Sequence, residues 1–245
     1  MSASLAYTRF EFRRVLRSRR FVFLALGFPV ALFFAIAGPN RHVHDLGSTG
    51  IPFTLYYMIG LAAFGTINAM MSAGARIAAE RAVGWNRQLR ITPLSTRDYF
   101  RAKVATGYLM ALLTLASLYV SGAILGVSIP AGEWARMTLF ILIGLIPFAA
   151  IGILLGHVLT PDSIGPALGG STAFFAFLGG SWFPITGGAL HDIAQALPSY
   201  WLVQAAHIGV GAGAWGARGW IVVAAWTLAA AALARRAYRR DTKRV

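Results

Sequence analysis

Apolar residues in this chain fall into runs too long for strands and too continuous for the alternation of a transmembrane barrel. Six runs approach the roughly 20 helical residues needed to cross a bilayer core of about 30 Å. They cover residues 21–38, 51–75, 104–127, 137–159 (with Pro147 inside), 164–183 and 220–234. The pattern predicts an all-α integral membrane protein of six transmembrane helices, one domain over residues 1–245. Gly60, Gly65, Gly165, Gly169, Gly170, Gly179 and Gly180 lie in or beside these runs and are expected to let helices pack closely.

Two further segments carry helical periodicity without spanning length. In residues 4–18, Leu5, Phe12, Val15 and Leu16 share one side, while Arg9, Arg13 and Arg17 recur at i, i+4 on the other. That is the pattern of an amphipathic helix lying in the membrane interface. Near the other end, Pro184 and Pro198 bracket a stretch with Leu190, Ile193, Ala194 and Leu197 on one face, followed by a glycine-broken apolar segment. Residues 184–212 are therefore expected to form an outer re-entrant helical hairpin before the sixth span, with Trp182, Tyr200, Trp201 and Trp215 at headgroup level.

Composition narrows the class. Hydrophobic residues make up 57% of the chain and charged residues 12%, against roughly 25% charged in soluble domains. There are 22 Lys plus Arg against 8 Asp plus Glu, a net charge of +14. In a soluble protein that excess would suggest nucleic acid. Here the cations gather at the ends of apolar runs: Arg9, Arg13, Arg14, Arg17, Arg19 and Arg20; Arg76, Arg81, Arg87, Arg90, Arg97, Arg101 and Lys103; and Arg235, Arg236, Arg239, Arg240, Lys243 and Arg244. The positive-inside rule then puts both termini and the loop between spans two and three in the cytoplasm, consistent with an even number of spans in a plasma membrane. The "AIAG" at residues 35–38 resembles a cleavage site, but the preceding apolar run and basic region are long for a signal peptide.

Catalytic chemistry finds little support. The chain has no cysteine, so thiolate metal sites and cysteine nucleophiles are excluded. His157 and Asp162 lack further ligands nearby, His191 and Asp192 would point apart on a helix, and His42 and His44 read as loop residues. No catalytic or metal-ligating set is expected.

The informative stretch is "ERAVGWNRQLRITPLSTRDYFRAK", residues 80–103. Read as a helix over 80–92, it puts Ala82, Trp85 and Leu89 on one face and Arg81, Asn86, Arg87 and Arg90 elsewhere. Pro93 ends that helix, because the residue before proline avoids the α region. Ser95 or Thr96 then caps the next helix, with Asp98 in its first turn. A loop that served topology alone would need the charge but not the tryptophan, the stop or the cap.

At Glu80, Arg81, Gly84, Trp85, Leu89, Thr92, Pro93, Leu94, Ser95, Tyr99 and Lys103 the stretch resembles the signature of ABC-2 type permeases. These are membrane subunits of bacterial ABC exporters, among them the daunorubicin-type drug permeases. The interfacial helix, six spans and broken hairpin extend the resemblance over the chain. It implies that Glu80, Arg81, Gly84, Trp85, Arg87, Gln88, Leu89, Arg90, Thr92, Pro93, Leu94 and Ser95 form a coupling helix docked in a cytosolic ATPase dimer. Arg9, Phe12, Arg13 and Leu16 of the interfacial helix would lie nearby, and Glu80 would fix the junction with span two through Arg76. It further implies a second permease copy or a paralogue, and a substrate path along spans two and five, with Tyr57, Phe64, Asn68, Met71, Phe174, Phe175, Phe177 and Trp182 as candidate lining residues.

The chain itself has no G-x-x-x-x-G-K-[ST] phosphate loop, and its lysines are Lys103 and Lys243. ATP and Mg are therefore expected on the partner, and no cofactor on this chain. The resemblance favours a drug or antibiotic as substrate, with lipid and glycan exporters sharing the architecture. A multi-span membrane enzyme would need paired acids, which these few scattered carboxylates do not supply, and a secondary transporter would have no use for the coupling segment.

Overall fold

The computed structural model describes residues 3–46, 50–85, 88, 91–210 and 215–242. Asn86, Arg87, Leu89 and Arg90 of the expected coupling helix lie outside them, as do residues 211–212 of the expected hairpin and Lys243 and Arg244 of the basic tail. Among the described residues the secondary structure is wholly helical.

The chain begins with α1 (Ala3–Arg17) and α2 (Arg19–Val22), passes through a π-helical turn (Phe23–Gly27), and continues as α3 (Phe28–Ala37). The first apolar run is thus interrupted where the sequence suggested continuity. Pro29 has no N–H for the Ala25 carbonyl four residues back, and the Thr114 hydroxyl approaches that carbonyl at 3.5 Å instead.

Among the described residues, four helices are long and apolar enough to cross a membrane: Phe53–Ala82, Thr96–Ile124, Ala131–Val158 and Ala217–Asp241. Ala25–Ala37 is a shorter apolar helix. Phe53–Ala82 is α4 and Thr96–Ile124 is α5, and the third long helix divides into α6 (Ala131–Gly144) and α7 (Ile146–Val158). The division falls at Pro147, which has no N–H for the Ile143 carbonyl four residues back. Tyr108 from α5 donates to the neighbouring Leu142 O at 3.1 Å.

The expected fifth span is α8 (Pro161–Leu178), 18 residues long and not among the four. It is opened by a capping box between Thr160 and Ser163, and it stops short of residue 183 because Gly180 takes φ +81°. The hairpin region holds α9 (Gly188–Gln195), α10 (Pro198–Gln204) and a 3-10 turn (Ala205–Val210), all too short to cross. Tryptophan N–H groups fasten it: Trp201 to Gln195 O at 3.1 Å, Trp215 to Trp201 O at 2.7 Å and Trp226 to Ala196 O at 2.8 Å. The last helix, α11 (Ala217–Thr242), continues well beyond the expected residue 234, carrying Arg235, Arg236, Arg239 and Arg240 as helix.

Helix α4 is the axis of the bundle, packed by α5, α7 and α8. The α4–α7 contact is backbone on backbone: a Cβ on Gly152 would fall 2.5 Å from Met71 O, and one on Gly156 2.5 Å from Gly74 O. Such small-residue seams let membrane helices approach closely. Gly165, Gly169 and Gly170 face open space, contrary to the packing role the sequence suggested.

Candidate functional site

The arginine-rich end of the bundle gathers the C-terminal ends of α4, α7 and α11, the N-terminal end of α5 and the whole of α1. The buried stripe of α1 is Tyr7, Glu11 and Val15, spaced at i, i+4, i+8. Leu5 and Leu16, expected on the same side as Val15, are instead exposed, together with Arg9 and Arg13, while Phe12 is half-buried. Glu11 therefore takes the inward face, and the apolar edge is left outward. The reason is a partner far away in sequence.

That partner is Lys103 on α5, 1% exposed, whose Nζ lies 3.0 Å from Glu11 Oε2 and 2.5 Å from Glu80 Oε1. Tyr99 donates to Glu80 Oε2 at 2.6 Å. Arg14 reaches Glu80 Oε1 at 2.7 Å and Glu11 Oε1 at 3.3 Å, and Tyr7 donates to Glu11 Oε1 at 3.1 Å. Two buried carboxylates are thus matched by two cations and two phenols, as burial of charge requires. Burial and the carboxylates of Glu11 and Glu80 push the Tyr7 phenol well above its ordinary pKa. Burial pulls the Arg14 guanidinium down, but hydrogen bonding and charge from Glu80 outweigh it and leave its pKa raised. The Glu80 carboxylate is engaged by Lys103, Tyr99 and Arg14, all on other elements.

Arg81, the next residue, faces the other way. Its Nε lies 2.7 Å from Asp241 Oδ2 and its NH2 2.8 Å from Asp241 Oδ1. NH1 donates to His157 O at 2.9 Å and Gly156 O at 3.1 Å, carbonyls that the end of α7 leaves open. His157 Nδ1 sits 3.2 Å from Asp241 Oδ2.

Glu80 and Arg81 thus close α4 instead of opening the next helix. The break is Gly84, at φ +70°, whose N–H bonds back to Arg81 O at 3.1 Å. The described residues that follow divide between two faces. Trp85 turns back: its ring stacks on Phe10 at 6.2 Å and packs with Tyr7, Tyr99 and Leu94. Among the described residues of the segment, the large apolar side chains facing outward are Val83, 75% exposed, and Ile91, 89% exposed. Gln88, Thr92, Pro93 and Ser95 are exposed and Leu94 is half-buried. Ser95 Oγ accepts from Asp98 N at 3.1 Å, capping α5 as expected. Val83, Ile91, Glu11 and Asp241 were absent from the sequence-based candidates. The run of apolar residues interrupted by Arg and Gln hid the first two, and the ionic partners lie 66 to 160 residues apart.

The chain is 30% identical over 210 residues to a protein of Bacillus subtilis (strain 168) named "Putative transport permease YvfS", a match spanning 82% of this chain and 80% of that one. The chain belongs to the transport permeases. No family model matches it.

The remaining candidates in this permease lie along the bundle. Tyr57, Phe64 and Asn68 occupy one half-exposed stripe of α4, at i, i+7 and i+11. Trp182 joins them, with its carbonyl 2.8 Å from the Tyr57 hydroxyl and its ring 5.6 Å from Phe64. Met71 is buried, and Phe175 packs against Phe148 and Trp226, whereas Phe174 and Phe177 are exposed. The structure thus gathers Tyr57, Phe64, Asn68 and Trp182 and sets the others apart.

Proposed function

We propose that this permease is the membrane subunit of an ATP-driven exporter of the ABC-2 type. It forms half of a translocation pathway and draws its power from a separate cytosolic ATPase that holds ATP and Mg. The observation that carries this reading is the segment 83–95. Its Val83 and Ile91 side chains are exposed, while both of its roots are held in ion-pair networks. A tether needs no held roots; an element that receives force does. The surrounding arginines suit an acidic cleft on a soluble partner.

In this reading both termini and the segment are cytoplasmic. Six crossings arise when the chain from α2 to α3 and α8 join the four long helices. Two permease copies, or this chain and a paralogue, enclose the path. Tyr57, Phe64, Asn68 and Trp182 line it and suit a bulky, largely apolar substrate, with drugs and antibiotics favoured. ATP binding closes the ATPase dimer, the docked segments move with it, and the roots pass that motion to α4 and α5.

The test is co-purification of a cytosolic ATP-binding subunit with the permease from its native membrane. Val83→Asp with Ile91→Asp leaves membrane insertion intact and abolishes retention of the ATPase. Full retention by this double variant overturns the docking assignment.

A further inference from the structure

The segment between α4 and α5 is rooted at Arg81 and Thr96, and the end of α11 touches both points. On the departing side, Asp241 holds the Arg81 guanidinium with both carboxylate oxygens. On the return side, Tyr238 OH lies 3.3 Å from Thr96 Oγ1, and its ring meets Phe100 edge-on at 5.4 Å and His157 at 5.5 Å. The last turns of the C-terminal helix therefore grip both roots of the segment from one side. From the other side α1 grips the same roots through Glu80 and Lys103.

The two grips differ in kind. Glu11, Glu80 and Lys103 are buried, so breaking that cluster endangers the fold. The Arg81 and Asp241 side chains keep 27% and 20% exposure. An ion pair of that exposure adds little net stability, yet it fixes the direction of a guanidinium that is also bound to the end of α7. Its loss frees the segment's direction without unfolding the bundle.

We propose that Tyr238 and Asp241 are positioning residues that set the angle at which segment 83–95 meets its partner, making the C-terminal helix a control element for energy coupling. The consequence for coupling rests on the proposed docking role; the mechanical grip does not.

The test uses the full chain, which has no cysteine, labelled with nitroxides at Ile91→Cys on the segment and Leu139→Cys on α6, both exposed positions. In the parent chain the distance distribution is narrow. Asp241→Asn and Tyr238→Ala broaden it at least twofold, with the thermal midpoint nearly unchanged, and Asp241→Glu restores it. In the complex, the same two variants retain the ATPase but change its turnover at least threefold, and Asp241→Glu recovers the parent rate. Distance distributions like the parent's overturn the proposal. A parent chain that recruits no ATPase overturns the docking role alone, since the label measurement on the permease by itself still decides the grip.

Discussion

Lys103 Nζ lies 2.5 Å from Glu80 Oε1, both residues almost completely buried, across the junction where α4 ends and α5 begins. With Glu11 on α1 the lysine closes a three-helix ionic core. Replacing Lys103 by Met removes the ammonium that the two buried carboxylates share. Removing one partner of a buried ion pair costs about 3–5 kcal/mol. Thermal unfolding of the purified permease in nanodiscs should show Lys103→Met melting many degrees lower; an unchanged midpoint would mean that the cluster does not form.

The α4–α7 seam admits no side chain at Gly152. Gly152→Val forces the helices apart, and overpacking typically costs about 1–3 kcal/mol. Gly169, with nothing near its would-be Cβ, is the control. Gly169→Ala should match or exceed the parent in thermal stability while Gly152→Val falls below it. The reverse order would contradict the seam.

Ser95 caps α5 at the end of segment 83–95. Ser95→Ala should cost about 1 kcal/mol, and Ser95→Asp should keep most of the cap. Hydrogen exchange reads this locally: the amide of Asp98 exchanges faster in the alanine variant and near the parent rate in the aspartate variant. Equal protection in all three would show that the cap contributes nothing.

Burial lowers the pKa of His207, in the turn after α10, below its ordinary value. The folded permease therefore prefers the neutral imidazole. This contribution to stability is full above the unfolded value of about 6.5 and is lost as pH falls through the folded value. His207→Gln should flatten the decline of the thermal midpoint between pH 7 and pH 5. A decline identical to the parent's would place the acid sensitivity elsewhere.

What the sequence made legible was governed by neighbours in the chain. The cap at Ser95 depends on residues within one turn, so residue type and spacing were enough. The site was legible as a segment but not as a machine. Nothing local to Glu11 reveals a lysine 92 residues away. Nothing local to Asp241 reveals an arginine 160 residues away. Trp85 looked like the outward anchor because aromatic residues dominate interfaces, whereas its ring found Phe10 and the Tyr7–Tyr99 cluster. The apolar edge of α1 was expected to share a face with Val15, but the demand of a buried carboxylate rotated the helix by part of a turn.

Glu80 and Arg81 are consecutive, and successive residues on a helix point about 100° apart. One addresses the beginning of the polypeptide and the other its end. Helical register in α4 therefore acts as a postal code: a single-residue insertion or deletion upstream would send each charge to the wrong recipient at once. Length polymorphism among natural variants should accordingly be tolerated in the loops before Phe53 and be absent from the last turns of this helix.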